Sequence, residues 1–184
     1  MNPRLIHYIL KAGIFFLKKD YDSARKKFSQ ALAWEKQNNT LSRKKIAIIY
    51  YNLGKVYFIG QDYKSALNNF EEALTYCKID EFDDNFPMLL YEELSLAYQY
   101  IKQYKKGLKY ALMAYHFQVA KYGEDDMWTG VRLVSVAMMY HQCANSSEAI
   151  KMLKKSIIIL KKYPNRKKEV ERLTQHLKKW TSSE

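Results

Sequence analysis

The chain has 184 residues, 48% of them hydrophobic, which suffices to bury a core in one domain or in an array of small units. Six glycines and three prolines leave few turns, which argues against a many-stranded β fold, and no apolar stretch approaches the roughly 20 residues of a membrane span. The net charge of +12 lies mostly in residues 1–63 and 148–184, around a mildly acidic middle.

The cysteines and the N-terminal residues indicate the cellular compartment of the protein. Cys77 and Cys143 stand far apart without CxxC spacing, a pattern typical of small core residues in a reducing compartment. The first residues contain neither a long apolar run nor a small-residue cleavage site, so we expect no signal peptide. We therefore predict a cytoplasmic protein.

One pattern of aromatic and small residues occurs four times along the chain. The copies cover positions 8–32, 50–74, 91–115 and 133–157. Each copy shows apolar residues three and four apart in two successive segments, which predicts a pair of helices. Successive copies are offset by about 42 residues, and a fixed period in this range indicates stacked helical repeats.

The second copy shows how such a pair packs. Gly54 lies inside the first predicted helix, and Ala66 and Ala73 lie on the apolar face of the second. Small residues let two helices approach closely, so we expect Gly54 to face the two alanines. Gly60 stands where a helix would end, and Asp62 stands where the next helix would be capped.

In the second half of the chain, several residues predict where helices begin and end. Pro87 predicts the start of a helix, Gly123 the end of one, and Asp125 or Asp126 the cap of the next. Residues 165–180 predict a ninth helix that covers the last repeat. Its apolar residues share one face: Val170, Leu173, Leu177 and Trp180.

The second copy resembles the tetratricopeptide repeat in its order of large and small residues. The matching residues are Tyr50, Leu53, Gly54, Tyr57, Ala66, Phe70 and Ala73. The other copies match in part, and lysine (Lys36, Lys78) replaces the closing proline of the family. The period exceeds the roughly 34 residues of the common repeat, as in kinesin light chains and in bacterial peptide-pheromone receptors of the Rap and PlcR-like group.

The resemblance implies an all-α fold: a right-handed superhelical α-solenoid of four such helix hairpins and a C-terminal capping helix. It implies a single domain over residues 1–184. The expected repeats are residues 5–38, 46–79, 87–121 and 129–163, and the capping helix covers residues 165–180.

The residues themselves give no sign of catalysis. The four histidines are scattered without metal-ligand spacing, and no phosphate-binding glycine loop occurs. Acidic pairs such as Glu71-Glu72 and Asp83-Asp84 are adjacent, so on a helix they point about 100° apart. We predict a non-enzyme with no catalytic residue, no metal site and no cofactor.

In the family, the first helix of each repeat lines a groove that holds a peptide. Carried over residue by residue, the candidate partner-binding residues are Tyr51, Asn52 and Lys55 in the second copy, Glu92, Leu96 and Gln99 in the third, and Met138 and His141 in the fourth. The first copy contributes Ile6, Ile9 and Gly13. Asparagine offers a donor and an acceptor to a peptide backbone, and tyrosine and methionine offer adaptable apolar contact.

Chaperone-binding members of the family hold a C-terminal carboxylate with lysine, asparagine and arginine. Here only Asn52 matches, because Ile9 and Gly13 occupy two of those positions and Glu93 stands where an arginine is expected. We therefore predict no chaperone-tail receptor, and a ligand whose centre is basic or mixed.

Three functions are open. The first is a protein-interaction scaffold that binds a peptide or helix in the groove. The second is the sensor part of a bacterial peptide-pheromone regulator. The third is binding of nucleic acid or an anionic surface through the basic stretches 23–28 and 166–180. The apolar first helix also leaves a homodimer open.

Overall fold

All regular structure in the described part of the chain is helical. The computed structural model describes residues 3–77 and 85–182, so the predicted end of the second repeat (78–79) and the pair Asp83-Asp84 lie outside the described residues. The helices are α1 (Pro3–Leu17), α2 (Tyr21–Asn38), α3 (Arg43–Ile59), α4 (Tyr63–Tyr76), α5 (Phe86–Tyr100), α6 (Tyr104–Tyr122), α7 (Met127–Gln142), α8 (Ser146–Leu160) and α9 (Lys167–Thr181). The all-α prediction is confirmed.

The chain divides into two compact units. The N-unit, residues 1–101, contains α1 to α5, and the C-unit, residues 102–184, contains α6 to α9. The single domain over residues 1–184, with its four repeat boundaries, stays a prediction. None of the helices in the described residues has the length and apolar character that crossing a bilayer needs.

The turn between the two helices of each copy has the same backbone geometry. Lys19, Gln61, Lys102 and Ala144 are left-handed, with φ of 62°, 61°, 60° and 57°. Their spacing along the chain is the same as that between the copies of the sequence repeat. In the second copy the left-handed residue is Gln61. Gly60 directly follows the last residue of α3, where a helix end was predicted, and has φ of −73°.

A polar residue follows each left-handed one and caps the next helix in three copies. Asp20 accepts a hydrogen bond from the backbone N–H of Ser23, and the predicted cap Asp62 accepts one from Ser65, both at 3.1 Å. Asn145 accepts one from the N–H of Glu148 at 3.2 Å. Each cap satisfies a backbone donor that the first helical turn leaves without a partner.

The small residues of the repeat are buried wherever they occur. Equivalent positions in the four copies are Ala12, Gly54, Ser95 and Ala137 on the first helix, and Ala31, Ala73, Ala114 and Ser156 on the second. At Gly54, an added Cβ would lie 2.6 Å from two ring carbons of Phe70 and 3.2 Å from the carbonyl oxygen of Ala66. The partner of Gly54 is therefore Phe70 beside Ala66, and Ala73 is not among its nearest contacts.

The C-unit packs its helices by similar close approaches. The hydroxyl of Ser156 on α8 donates a 2.7 Å hydrogen bond to the carbonyl oxygen of Gly130 on α7. Asp126 is the cap of α7, accepting from the N–H groups of Trp128 and Thr129. The predicted ninth helix is present as α9, which buries Val170 and Leu173 against the α7–α8 core and half-buries Leu177 and Trp180.

Replacing Gly54 by Ala tests the close approach of α3 and α4. The fully buried Phe70 ring leaves no room for the new methyl group, so we expect a loss of about 1–3 kcal/mol in unfolding free energy. Gly13→Ala on α1 is the matched control, since nothing lies within 4 Å of its Cβ position, and it should stabilise by about 0.5–1 kcal/mol. Urea unfolding measures both; shifts of the same sign would contradict the assigned contact.

Replacing Ala144 by Gly tests the repeated turn. An alanine at φ of 57° is strained by about 1 kcal/mol, which glycine relieves, so Ala144→Gly should stabilise by up to about 1 kcal/mol. Ala33→Gly, at an exposed position inside α2, should instead destabilise by about 1 kcal/mol. Thermal unfolding of the two variants must show opposite signs if the turn is described correctly.

Candidate functional site

Two adjacent rows of side chains form the candidate binding surface of the N-unit, which we name the α3–α5 face. Its members are Ile48, Asn52, Lys55 and Ile59 on α3, and Leu89, Glu93, Leu96 and Tyr100 on α5. In each row the spacing of four, three and four residues keeps the side chains on one side of the helix. The five apolar members are 36% to 52% exposed, so both ends of the face present apolar surface.

An ion pair joins the two rows at their centre. The ammonium group of Lys55 lies 2.7 Å from a carboxylate oxygen of Glu93. Burial lowers the pKa of Lys55, but the hydrogen bond and charge of Glu93 outweigh burial and hold that pKa above its ordinary value. The pair therefore stabilises the fold in the neutral range, and this contribution is lost as pH rises through the raised pKa of Lys55.

Because Lys55 balances Glu93, the centre of the α3–α5 face carries no net charge from these two residues. The sequence predicted that Glu92 and Glu93 would repel an acidic ligand and that the centre of the ligand would be basic or mixed. The ion pair removes the part of that argument that rested on Glu93.

Aromatic side chains support the centre of the face from below. The Tyr51 ring lies 6.0 Å from the ring of the fully buried Phe70 and 5.3 Å from that of Phe86, measured between centroids. Burial raises the pKa of the Tyr51 hydroxyl, and the charge of Glu93 raises it further against the opposing effect of Lys55. Tyr51 is thus a neutral, packed residue, and the Lys55 ammonium group lies 5.7 Å from the centroid of its ring.

At one end of the face, three rings pack against one another. Tyr63 and Tyr100 are stacked with centroids 4.4 Å apart, and Phe58 contacts both edge to face, at 5.2 and 5.3 Å. Tyr100 nevertheless remains 52% exposed. The result is a rigid aromatic platform beside Ile59 and Leu96 that a partner can contact at little entropic cost.

The remaining predicted residues of the N-unit differ in how much of their side chain can contact a partner. The side-chain amide of Asn52 donates one hydrogen bond to the carbonyl oxygen of Ile48, at 2.9 Å, which leaves its oxygen as an acceptor. Glu92 and Gln99 are half-buried beside the α5 row. On α1 the expected Ile9 instead packs into the core, whereas Leu10 and Leu17, which the prediction omitted, are exposed.

The C-unit holds the last two predicted residues, and each unit is considered by itself. Met138 is half-buried on α7. The imidazole of His141 stacks on the indole of Trp180 of α9, with centroids 4.3 Å apart and planes 13° apart. Part of the His141 surface is therefore taken up within the C-unit, a contact that the sequence did not reveal.

The described residues contain no cluster of side chains that could bind a metal ion. Within residues 3–77 and 85–182, no group of three or more histidine, cysteine, aspartate or glutamate side chains could hold a metal ion. The two cysteines are half-buried thiols without a disulfide. The arrangement is suited to contact with another molecule.

Helix hairpins with small-residue contacts and a left-handed turn, repeated about every 42 residues, are typical of helical-repeat proteins. The tetratricopeptide repeat family profile matches residues 4–78. No curated protein sequence matches the chain. The recognition of the repeat from the sequence is confirmed.

Solved structures of this class share the fold of the chain. A Podosopora anserina putative kinesin light chain with TPR-like repeats is 12% identical and has a TM-score of 0.73, covering 98% of this chain and 95% of that one. Apo RapI is 12% identical with a TM-score of 0.81; it covers 98% of this chain, which spans 49% of RapI. MamA from Desulfovibrio magneticus RS-1 is 15% identical with a TM-score of 0.68, covering 99% and 96%.

A double-mutant cycle on Lys55→Met and Glu93→Gln tests the central ion pair. The Lys55 side chain is 34% exposed and that of Glu93 17%, so we expect a coupling energy of about 1 kcal/mol. The pair Arg25–Asp22, with side chains 48% and 92% exposed, is the control and should couple by less than about 0.5 kcal/mol. Chemical unfolding that gives the two pairs equal coupling would contradict the assignment.

Proposed function

We propose that the chain is a non-catalytic adaptor that binds a peptide or short helix of a partner protein along the α3–α5 face. The observation that supports this most is the set of five exposed apolar side chains around a neutralised ion pair on two adjacent helices. Tetratricopeptide-repeat folds are generally used for protein–protein interaction, which agrees with this proposal.

The chemistry of the face defines the partner segment. Leu89, Leu96 and Tyr100 on α5 and Ile48 and Ile59 on α3 favour apolar side chains spaced along the ligand. Between them, the oxygen of Asn52 accepts a hydrogen bond from a peptide N–H. A strongly charged segment gains little at this face, because Lys55 and Glu93 already satisfy each other.

Leu96→Asp tests the proposal with peptides selected on the wild-type chain from a displayed random library. Leu96 is 39% exposed in the middle of the α5 row, so a carboxylate there should weaken binding of those peptides about tenfold or more without unfolding the chain. Fluorescence anisotropy measures the affinities, and circular dichroism checks that the variant is folded.

Asn68→Asp provides the control, because it adds the same charge at an exposed position of α4 outside the α3–α5 face. Its affinity for the selected peptides should stay within about twofold of wild type. Peptides that bind Leu96→Asp as tightly as wild type would show that the ligand lies elsewhere.

A second candidate is the sensor part of a bacterial peptide-responsive regulator. The superposition on RapI over 98% of this chain favours it. A sensor would bind a short free peptide through its termini, whereas an adaptor would bind an internal segment of a protein. Acetylating and amidating the selected peptides separates the two: loss of binding favours the sensor, and retained binding favours the adaptor.

A further inference from the structure

Almost all the net charge of the chain lies in the C-unit. The N-unit has 14 basic and 12 acidic side chains, a net charge of +2, whereas the C-unit has 17 basic and 7 acidic, a net charge of +10. This division is not visible from the basic ends of the sequence alone, because the basic N-terminal stretch shares its unit with the acidic residues of α4 and α5.

The few carboxylates of the C-unit are already engaged. Of the six that lie in described residues, four form ion pairs and one caps a helix. The ion pairs are Glu124–Lys155 at 3.1 Å, Asp125–Lys162 at 2.8 Å, Glu148–Lys151 at 3.5 Å and Glu169–Arg166 at 2.9 Å, and Asp126 caps α7. The sixth, Glu171, is exposed on α9.

The cations that remain are concentrated between α8 and the end of α9. Ten cations of the C-unit are exposed and have no carboxylate partner in the described part of the chain. Six of these ten lie between α8 and the end of α9: Lys154, Lys161, Lys167, Lys168, Arg172 and Lys178. An uncompensated positive field of this kind attracts and steers an anionic partner.

One face of α8 combines this charge with apolar surface. Ser147, Lys151, Lys154 and Ile158 lie on the same side of the helix by their spacing. They line a shallow hollow of about 570 Å³, together with Ile150 and Lys155. Ile158 is 63% exposed within a rim of lysines. We name these six residues the α8 face.

We propose that the α8 face docks an acidic polypeptide segment that carries an apolar side chain against Ile158. Glutamate and aspartate residues of the segment pair with Lys154 and the neighbouring Lys161, while its apolar side chain covers the exposed isoleucine. Lys151 also pairs with the segment in exchange for its long, exposed 3.5 Å contact with Glu148. The α8 lysines already form such contacts within the unit, since Lys155 and Lys151 each bind a carboxylate.

The composition of the surface favours a polypeptide over the other polyanions. Single-stranded nucleic acid is usually bound by a basic groove together with aromatic rings that stack on bases, but none of the six residues of the α8 face is aromatic. A bilayer surface calls for a helix with a broad exposed apolar side, whereas Leu153, Ile157 and Leu160 of α8 are buried in the core and Ile158 alone is largely exposed.

The test uses the full chain and a fluorescein-labelled peptide of glutamates and aspartates with a central leucine, at about 0.15 M salt. The 15-residue α8 is about 22 Å long, so an extended peptide of about ten residues covers it. Parallel measurements use the same peptide with serine for leucine, a uridine oligoribonucleotide, and vesicles that contain phosphatidylserine.

Two variants probe the face, and a third controls for net charge. Replacing Lys151, Lys154 and Lys161 by Glu should weaken peptide binding about tenfold or more. Ile158→Ser should abolish the preference for the leucine peptide over the serine peptide. Replacing the exposed Lys18, Lys26 and Lys64 of the N-unit by Glu makes the same change in net charge. This control should alter the affinity for the peptide less than about threefold, because salt at this concentration screens charge–charge interactions beyond about 8 Å.

Saturable binding of the leucine peptide that follows this pattern supports the proposal. Three outcomes would overturn it: no saturable peptide binding at about 0.15 M salt, equal loss in the α8 and N-unit variants, or tighter binding of the RNA or the vesicles than of the peptide. Circular dichroism of each variant ensures that a loss of binding is not a loss of folding.

Discussion

The close approach of two helices at Gly54 is the contact on which the N-unit depends. Because Gly54 has no side chain, the Phe70 ring and the Ala66 carbonyl group lie directly against α3. The same position is small in the other copies (Ala12, Ser95 and Ala137). Close packing at a repeated position fixes the orientation of each first helix. Equivalent residues of α3 and α5 consequently form adjacent rows, with Lys55 and Glu93 within hydrogen-bond distance.

The repeat itself could be predicted from the sequence, because each copy carries its own local signals. The period of about 42 residues recurs in the left-handed turns, from Lys19 to Ala144. The cap Asp62 and the terminal helix α9 were likewise predicted correctly. The cap and the helix depend on residues within one or two turns of each other, and the period follows from comparing the copies with one another.

The pairing of side chains within the sites could not be predicted in the same way. Lys55 was expected to contact a ligand, but it pairs with Glu93, a residue 38 positions away that only the packing of successive helices brings near. The stacking of His141 on Trp180 arises in the same manner, since α9 must first fold against α7. Comparing the rows on neighbouring first helices would have suggested the ion pair.

The two units present different chemistry to their surroundings. The N-unit is nearly neutral, and its α3–α5 face is apolar around a satisfied ion pair. The C-unit is strongly basic, and its α8 face places one exposed isoleucine among lysines. The two faces that we propose as docking surfaces therefore select segments that differ in charge.

A crystal structure of the chain with a library-selected peptide would test the central claim most directly. The account predicts the peptide along α3 and α5, with atoms within about 4 Å of Leu96 and Tyr100 and with the Lys55–Glu93 ion pair intact. A peptide bound elsewhere on the chain, or a ligand that breaks the ion pair to contact Lys55, would contradict it.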